Sequence, residues 1–283
     1  NHNHDSESVN FNERELEIKG QFKDLTENNV CIQYNLDTPK KNYFLDDKQI
    51  YRASSIIGKF PVVILTQLDH SITKGPPSER RKLVDSIISQ ASSTYLNILL
   101  EYKKVLRQRA SLLNQIRESQ NFSLFEQLDS WTESLIKTGT ELIKHRISFT
   151  ENYLNYVISS YQKIMGENEV PNIIYHSLCE NDAGSIEEQF RESLKARKKD
   201  ELRRASNLVG PHKDDFVFTI NDFDLRKFGS QGQHKTFQIA LRFGEFSYLK
   251  DALGKTPIFL LDDVFGELDT FRAKKISEFL MEV

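Results

Sequence analysis

Two segments of the sequence are the most informative about the architecture: Phe228-Gly229-Ser230-Gln231-Gly232-Gln233-His234-Lys235-Thr236 and the later run Pro257-Ile258-Phe259-Leu260-Leu261-Asp262-Asp263. The first segment predicts a loop that enters a helix, where unpaired backbone amides can meet a phosphate. The second predicts a strand that ends in two carboxylates. Because α/β sheets bind ligands at the carboxyl ends of their strands, the two segments together indicate nucleotide hydrolysis.

The strand before the two aspartates has no polar position. Every side chain from Pro257 to Leu261 is apolar, so we expect a strand buried on both faces in a mainly parallel sheet. In phosphate-loop ATPases one such aspartate holds Mg²⁺, and an acidic neighbour can polarise the attacking water. The alternative is a solvated strand end that carries Asp262 and Asp263 without a catalytic role.

Residues Gly229 to Thr236 almost fit the phosphate-loop pattern G-x-x-x-x-G-K-[ST], but His234 replaces the second glycine. That glycine lets the backbone approach the phosphates closely. No buried strand precedes the segment, so we do not expect a phosphate loop here. Instead, Ser230 at a helix N-terminus can offer its hydroxyl and nearby amides to a phosphate from outside. The alternative is that Ser230 is an ordinary helix cap.

Composition limits the class of protein. The chain has 283 residues, of which 28% are charged and 38% are hydrophobic, and its net charge is −3. No run of about 18 apolar residues occurs, so we expect no membrane span. The net charge argues against a globally basic nucleic-acid coat but allows a local basic face. Cys31 and Cys179 lie far apart, which disfavours a zinc site or a disulfide framework.

Hydrophobic periodicity divides the chain into parts. Residues 14–51 alternate polar and apolar side chains as half-buried antiparallel strands do, and Phe60 to Leu65 predicts a buried strand. Residues 78–165 contain almost no Gly or Pro, and their apolar stripes predict two long helices packed as an antiparallel pair. Strands and helices alternate again after Gly166. We therefore predict an α/β body whose two parts pair around an inserted helical arm.

Several segments resemble motifs of known ATPases. Ser230-Gln231-Gly232-Gln233 resembles the signature motif of ABC-type ATPases, and Asp262-Asp263 resembles the end of their Walker B strand. Glu267-Leu268-Asp269 is similar to the D-loop that follows that strand. Further segments resemble elements of the RecF family of bacterial recombination-mediator ATPases: Gly210 to Asp215, Lys74 to Asp85, and Tyr102 to Arg109 with Leu112-Leu113. The motifs occur in the right order over nearly the whole chain.

The resemblance implies an α/β fold, the P-loop NTPase head of an ABC ATPase similar to Rad50 and SMC heads, with an inserted antiparallel helical arm. It divides the chain into a β-rich part of the first ATPase lobe at 1–77 and a helical arm with lobe II at 78–185. Residues 186–283 form the ATPase lobe with the signature motif, Walker B strand and D-loop. The family's Walker A loop and final switch histidine are not in the chain, so we expect a fragment truncated at both ends.

By the same resemblance, two copies meet head to tail when ATP is bound, and each composite site takes residues from both protomers. In one protomer, Asp262 organises Mg²⁺ and Asp263 acts as the base toward water. The partner contacts the γ-phosphate with its signature residues, Ser230, Gly232 and Gln233. ATP and Mg²⁺ are therefore the implied cofactors.

The resemblance also assigns residues around the composite site. Asp269 of the D-loop would help to couple the two sites, and Gln67 is the candidate Q-loop glutamine. The chain departs from the family pattern at Gln67, where Pro is frequent, at Ala110, where Asn is usual, and at Gly266, where Ser is frequent. These departures bear on the local contacts at each position and not on the resemblance to the family.

The implied function is that of a DNA-binding ATPase in recombinational DNA repair, also used in replication and the SOS response. An ATP-dependent homodimer would bind double-stranded DNA at gaps or single-strand/double-strand junctions and help RecO and RecR load recombinase. The full-length protein is expected to be a slow DNA-dependent ATPase. The expected location is the bacterial cytoplasm, in association with the nucleoid.

Two groups of basic side chains are candidates for contacts with DNA phosphates. A charged helix is usually a solvated face, but the resemblance to a DNA-binding family favours phosphate neutralisation by Lys and Arg. The candidates are Lys103, Lys104, Arg107 and Arg109 on the first long helix, and Lys198, Lys199, Arg203 and Arg204 on a later charged helix.

Two alternatives stay open from the sequence. One is another arm-bearing ABC ATPase, of the SMC or Rad50 kind or from a defence system, although the short arm disfavours it. The other is a non-enzymatic DNA-binding or interaction module, because the 283 residues contain no loop to cradle ATP. A G-x-N-G-x-G-K-T loop just upstream in the source gene would decide against the module.

Overall fold

The computed structural model describes residues 5–23, 27–119, 123–177, 185–262 and 269–282. Its internal contacts separate the chain into two units, residues 1–59 and 60–283. The three-part division at residues 77 and 185 stays a prediction.

The first unit is an antiparallel meander. Its strands, in spatial and chain order, are β1 (Glu15–Lys23), β2 (Glu27–Asn35), β3 (Lys40–Leu45) and β4 (Lys48–Ile50). The pairing of β1 with β2 runs from Glu15 opposite Asn35 to Lys23 opposite Glu27. The strands predicted from alternation in this region are therefore confirmed.

The second unit contains a parallel strand pair, β5 (Val62–Thr66) and β9 (Ile258–Asp262). The register places Val62 opposite Ile258 and Thr66 opposite Asp262. Because β5 precedes the helical arm and β9 follows it, the predicted pairing of the parts before and after the arm is confirmed for these two strands, while the strands at residues 14–51 belong to the other unit. A separate antiparallel sheet contains β6 (Pro171–His176), β7 (Asp215–Ile220) and β8 (Phe223–Asp224) in that order.

The apolar run from Pro257 to Leu261 predicted that β9 is buried on both faces. For the described part of the chain this prediction is wrong. Side chains alternate between covered and exposed along β5 and β9, with Ile64, Ile258 and Leu260 exposed by 43%, 37% and 47%. Phe259 on the other face contacts the rings of Phe243, Phe246 and Phe279. Two strands with helices packed on one side bury one face only, which an all-apolar sequence does not reveal.

The arm begins after α2 (Pro77–Ala91) and consists of α3 (Ser93–Ser119) and α4 (Leu124–Met165). Arg109 donates to Thr132, and Arg146 donates to the Tyr95 hydroxyl. From Tyr95 to Arg109 the residue number on α3 increases, while that of the partner on α4 decreases from Arg146 to Thr132. The two helices are therefore antiparallel, as predicted. At 1.5 Å per residue the 27 residues of α3 extend about 40 Å.

The long helix α7 (Gln231–Leu253) lies at the centre of the second unit. It packs on α4, where Gly244 lets the helices approach because a side chain there would meet Val157 at 3.1 Å. Phe243 stacks on Phe279 of α8 (Thr270–Glu282). The other described α-helices are α1 (His70–Lys74), α5 (Ile186–Arg204) and α6 (Leu225–Phe228). Within the described ranges, no helix is long and apolar enough to cross a membrane.

Candidate functional site

The carboxyl ends of β5 and β9 bring three polar residues to one edge of the parallel pair. Asp262 ends β9 opposite Thr66, and Gln67 follows Thr66 directly. The Asp262 side chain is exposed. An exposed carboxylate next to hydroxyl and amide oxygens matches the ligands that Mg²⁺ prefers when it also binds phosphates. Asp263 and residues 264–268 lie outside the described residues, so the predicted role of Asp263 stays a prediction.

The segment at Ser230 begins a helix. The Ser230 hydroxyl accepts from the Gln233 backbone N–H at 3.2 Å, and the Gln233 side chain accepts from the Ser230 N–H at 2.8 Å. This reciprocal capping box uses local backbone donors at the start of α7. Since residues 231–236 are helical, the rejection of a phosphate loop is confirmed. Ser230 and Gln231 are exposed, Gly232 is half-buried, and the first amides of a helix have no acceptor within it.

The Gln233 side chain is held from both ends. Its carbonyl belongs to the capping box, and its Nε2 donates to Glu169 at 2.8 Å. The other oxygen of Glu169 accepts from the Tyr161 hydroxyl on α4, and burial raises the pKa of Tyr161, so that hydroxyl keeps its proton. Gln233 therefore connects the capped turn to the base of the arm, and it is half-buried in the described protein.

The segment after Gln67 is fastened to α7 by charged and polar contacts. Arg242 holds Asp69 with two hydrogen bonds of 2.7 and 2.9 Å and donates to Glu245 at 2.7 Å. Burial alone would lower the pKa of Arg242, but the hydrogen bond to Asp69 and the charge of Glu245 outweigh it and raise that pKa. Burial raises the pKa of Glu245 against the attraction of Arg242. Arg242 therefore joins the segment after Gln67 to α7.

A cavity of about 510 Å³ lies between the Gln67 segment and the first turns of α7. Its lining includes Lys74, His70 and His234. Burial, followed by the charge of Lys74, lowers the pKa of His234. The imidazole therefore stays neutral beside the capped turn.

The segments Lys74 to Asp85 and Gly210 to Asp215 form one polar network. Arg80 binds Asp215 through two hydrogen bonds of 2.8 and 2.9 Å, and Arg81 donates to the Asp214 carbonyl at 2.6 Å. Arg146 from the arm donates to Asp85 at 2.8 Å and to the Pro211 carbonyl at 2.7 Å. These sequence motifs therefore hold α2, the arm and the start of β7 together.

His212 in the same network is a neutral side chain that uses both ring nitrogens. The Tyr102 hydroxyl lies 2.8 Å from Nδ1, and Nε2 lies 3.2 Å from the Asn207 carbonyl. The carbonyl requires an N–H at Nε2, so Nδ1 accepts from Tyr102. Gly210 has φ = 129°, and a side chain there would meet the Tyr102 hydroxyl at 2.5 Å, which explains the glycine.

We predict that His212 makes the protein sensitive to mild acid. Burial lowers its pKa from 6.5 to about 4, so between these values the unfolded chain binds more protons than the folded one. The free energy of unfolding should therefore fall by about 1–3 kcal/mol from this group as pH drops from 6.5 to 4. Urea unfolding at several pH values should show this loss in the wild type and a smaller one in His212→Gln. Parallel pH curves for the two proteins would contradict the prediction.

The structure corrects the DNA-contact assignment of Arg109. Its side chain is 3% exposed and pairs with Glu201, which is 1% exposed, at 2.6 Å. Further bonds join Arg109 to Asn207 at 2.7 Å and to Thr132 at 3.0 Å. A guanidinium enclosed by three protein partners cannot reach a DNA phosphate without leaving them, so Arg109 is a structural residue.

The other basic candidates are exposed. Lys103, Arg107, Lys199 and Arg204 lie on the outer faces of α3 and α5. Lys104, Lys198 and Arg203 pair with Glu101, Asp129 and Asp200 at 3.3, 3.2 and 2.7 Å. Exposed pairs contribute about 0–1 kcal/mol, so these cations can exchange partners readily. Their contact with DNA stays a prediction.

Sequence reasoning missed residues that hold the candidate site. Glu169, Arg146 and Arg242 act on partners distant in sequence, and no local pattern marks them. Arg272 carries a weak signal, because it stands three residues after Asp269 at a helix start. The structure thus adds supporting residues that the motifs do not contain.

These features define the class of protein, an ABC-type ATPase head with an inserted helical arm. No family model matches the chain. The chain is 38% identical over 282 residues to the DNA replication and repair protein RecF of Chloroherpeton thalassium. The aligned region covers 98% of this chain and 76% of the relative. The chain belongs to the RecF family of DNA replication and repair proteins.

A second curated relative and a solved structure support the same family assignment. The RecF of Chlorobium phaeobacteroides is 35% identical over 281 residues, with 97% of this chain and 76% of that protein covered. A solved structure of the recombination mediator protein RecF with ATP, in the RecFOR pathway, matches with a TM-score of 0.88 and 31% identity. That match covers 98% of this chain and 74% of the solved chain. Membership of this family decides against the SMC and Rad50 alternative.

Proposed function

We propose that the protein is an ATP-dependent, DNA-binding ATPase of recombinational repair, in which two copies meet head to tail around ATP. The observation that carries the proposal is the capped, exposed turn at Ser230, which presents the first amides of α7 outward. Such a turn suits an anion supplied by another molecule, because the positive end of the helix dipole faces that anion. A solved RecF structure to which this chain is similar is described as a complex with ATP, in agreement with this proposal.

In each composite site one protomer supplies the acidic strand end and its partner supplies the capped turn. Asp262 would hold Mg²⁺ through its exposed carboxylate, and Mg²⁺ there would neutralise phosphate charge. Asp263 accepts a proton from the attacking water. Ser230 donates its hydroxyl hydrogen, and Gly232 its amide, to the γ-phosphate, while Gln233 keeps the turn in place.

Two further residues complete the proposed site. Gln67 follows the strand beside Asp262 and senses the nucleotide, and the Asp69–Arg242 contact carries its movement to α7. Asp269 of the D-loop couples the two composite sites. Binding of ATP would therefore close the dimer, and hydrolysis would open it.

Closure of the dimer would create a continuous surface for DNA. The exposed candidates Lys103, Lys104 and Arg107 on α3, with Lys198, Lys199, Arg203 and Arg204 on α5, would neutralise phosphates. Such binding weakens as salt rises, because counterions are released. We propose gaps and single-strand/double-strand junctions as preferred DNA, RecO- and RecR-type mediators as partners, and a nucleoid-associated cytoplasmic location.

Dimerisation of the Asp263→Asn variant tests the proposal. In the full-length protein this change removes the base but leaves the capped turn and ATP contacts unchanged. We expect ATP-dependent dimers by size-exclusion chromatography, with ATP hydrolysis reduced about 100-fold or more. The wild type without nucleotide, expected as a monomer, is the control. If Asp263→Asn remains monomeric with ATP, the composite-site proposal fails.

A further inference from the structure

The side chain of Arg272 touches both the D-loop and the capped turn. Its Nη1 pairs with the Asp269 carboxylate, and its backbone N–H donates to the same carboxylate at 2.9 Å. Its Nε donates to the Thr236 hydroxyl in the second turn of α7 at 3.0 Å. One guanidinium therefore joins the start of α8 to α7.

Thr236 passes this contact to the first turn of the helix. Its side chain is fully buried, and its hydroxyl donates to the Gly232 carbonyl at 3.0 Å while accepting from Arg272. Both the hydrogen and a lone pair of the hydroxyl are used. The Thr236 hydroxyl therefore links Arg272 to the Gly232 carbonyl.

Arg272 also lies directly against Gly232. A Cβ added to Gly232 would come within 2.8 Å of Arg272 Nη2, closer than real contacts of this kind. Gly232 has an ordinary helical position, so a backbone requirement does not explain this glycine. Its lack of a side chain leaves room for the guanidinium of Arg272, whose side chain as a whole is 15% exposed.

We propose that Arg272 is a positioning residue that makes the D-loop Asp269 and the capped Ser230 turn one mechanical unit. The inference rests on the proposed function, since it concerns residues of the composite site. Its consequence is that neither motif can shift without the other when two protomers close on ATP. Arg272 binds no nucleotide in this role and acts through Asp269, Thr236 and Gly232.

The test measures ATP hydrolysis and ATP-dependent dimerisation for Arg272→Ala in the full-length protein. We expect kcat to fall on the order of 10- to 100-fold, because small misplacements of reacting groups cost that much. ATP binding to the monomer should stay within about twofold, since no ATP contact is removed. Lys274→Ala is the matched control, because Lys274 is exposed on the same helix and, among the described residues, pairs only with half-buried Glu278 at 3.9 Å.

Two more variants separate positioning from folding. Arg272→Lys keeps the charge but cannot make the forked contact of a guanidinium. Its kcat should therefore lie between those of Arg272→Ala and the wild type, and its melting temperature should equal that of the wild type. Combining Arg272→Ala with Asp269→Ala should lower kcat no further than the stronger single variant, because both break one link. Additive losses, or equal kcat for Arg272→Ala and Lys274→Ala, would overturn the inference. Absence of ATP-dependent dimers in the wild type would instead overturn the proposed function.

Discussion

ATP hydrolysis should reappear when two inactive variants, Ser230→Ala and Asp263→Asn, are mixed. Alone, each should lose about 100-fold or more in kcat, because one lacks a phosphate donor and the other lacks the base. In a mixed dimer both defects fall in the same composite site, and the second site receives an intact Ser230 and an intact Asp263. A 1:1 mixture should therefore regain about a quarter of the wild-type rate, since half the dimers are mixed and each has one intact site.

The control for this experiment is each variant alone at the total concentration of the mixture. The Ser230→Ala change also removes the cap of α7, which costs about 1 kcal/mol, so melting temperatures must show that both variants are folded. A site built within one chain predicts no recovery on mixing. A mixture no more active than its components would therefore contradict the head-to-tail arrangement.

Loss of the Arg109 side chain should destabilise the protein far more than loss of any exposed arginine nearby. Arg109→Ala leaves Glu201 charged and buried, and also removes the donor to the Asn207 side-chain oxygen. Breaking such a pair costs about 3–5 kcal/mol, mainly because the remaining charge has no compensation. The free energy of unfolding from urea titration measures this loss.

Arg107→Ala is the matched control, since Arg107 is exposed two residues away on α3. Its stability should change by no more than about 0.5 kcal/mol. Replacing both members of the pair, as in Arg109→Met with Glu201→Met, should recover much of the stability, because no charge stays buried. Equal stability of Arg109→Ala and Arg107→Ala, with DNA binding lost only in Arg109→Ala, would restore Arg109 as a DNA contact.

Much of the fold was predictable because its signals are local. Alternation predicted β1 and β2, and apolar stripes predicted the antiparallel pair of α3 and α4. The turn at Ser230 was also predictable as a helix start, since a capping box needs only residues three apart. The burial of β9 was not predictable, because an apolar sequence is compatible with a strand that is covered on one face or on both.

The candidate site was predictable only in its motif residues. Ser230, Gly232 and Asp262 stand out because turns and strand ends have recognisable sequences. Arg272 and Glu169 do not, because their roles come from contacts 36 and 64 residues away along the chain. Nothing in the neighbourhood of either residue predicts those partners.

Local sequence signals account for the order of helices and strands, the helix start at Ser230 and the acidic strand end, since periodicity and capping act over a few residues. Which charges face water depends instead on contacts between distant segments. Arg107 and Arg109 have the same chemistry and stand two positions apart, yet one is exposed and the other is enclosed by Glu201. That partner is 92 residues away, so only the folding of α5 against the arm separates a candidate DNA contact from a structural ion pair.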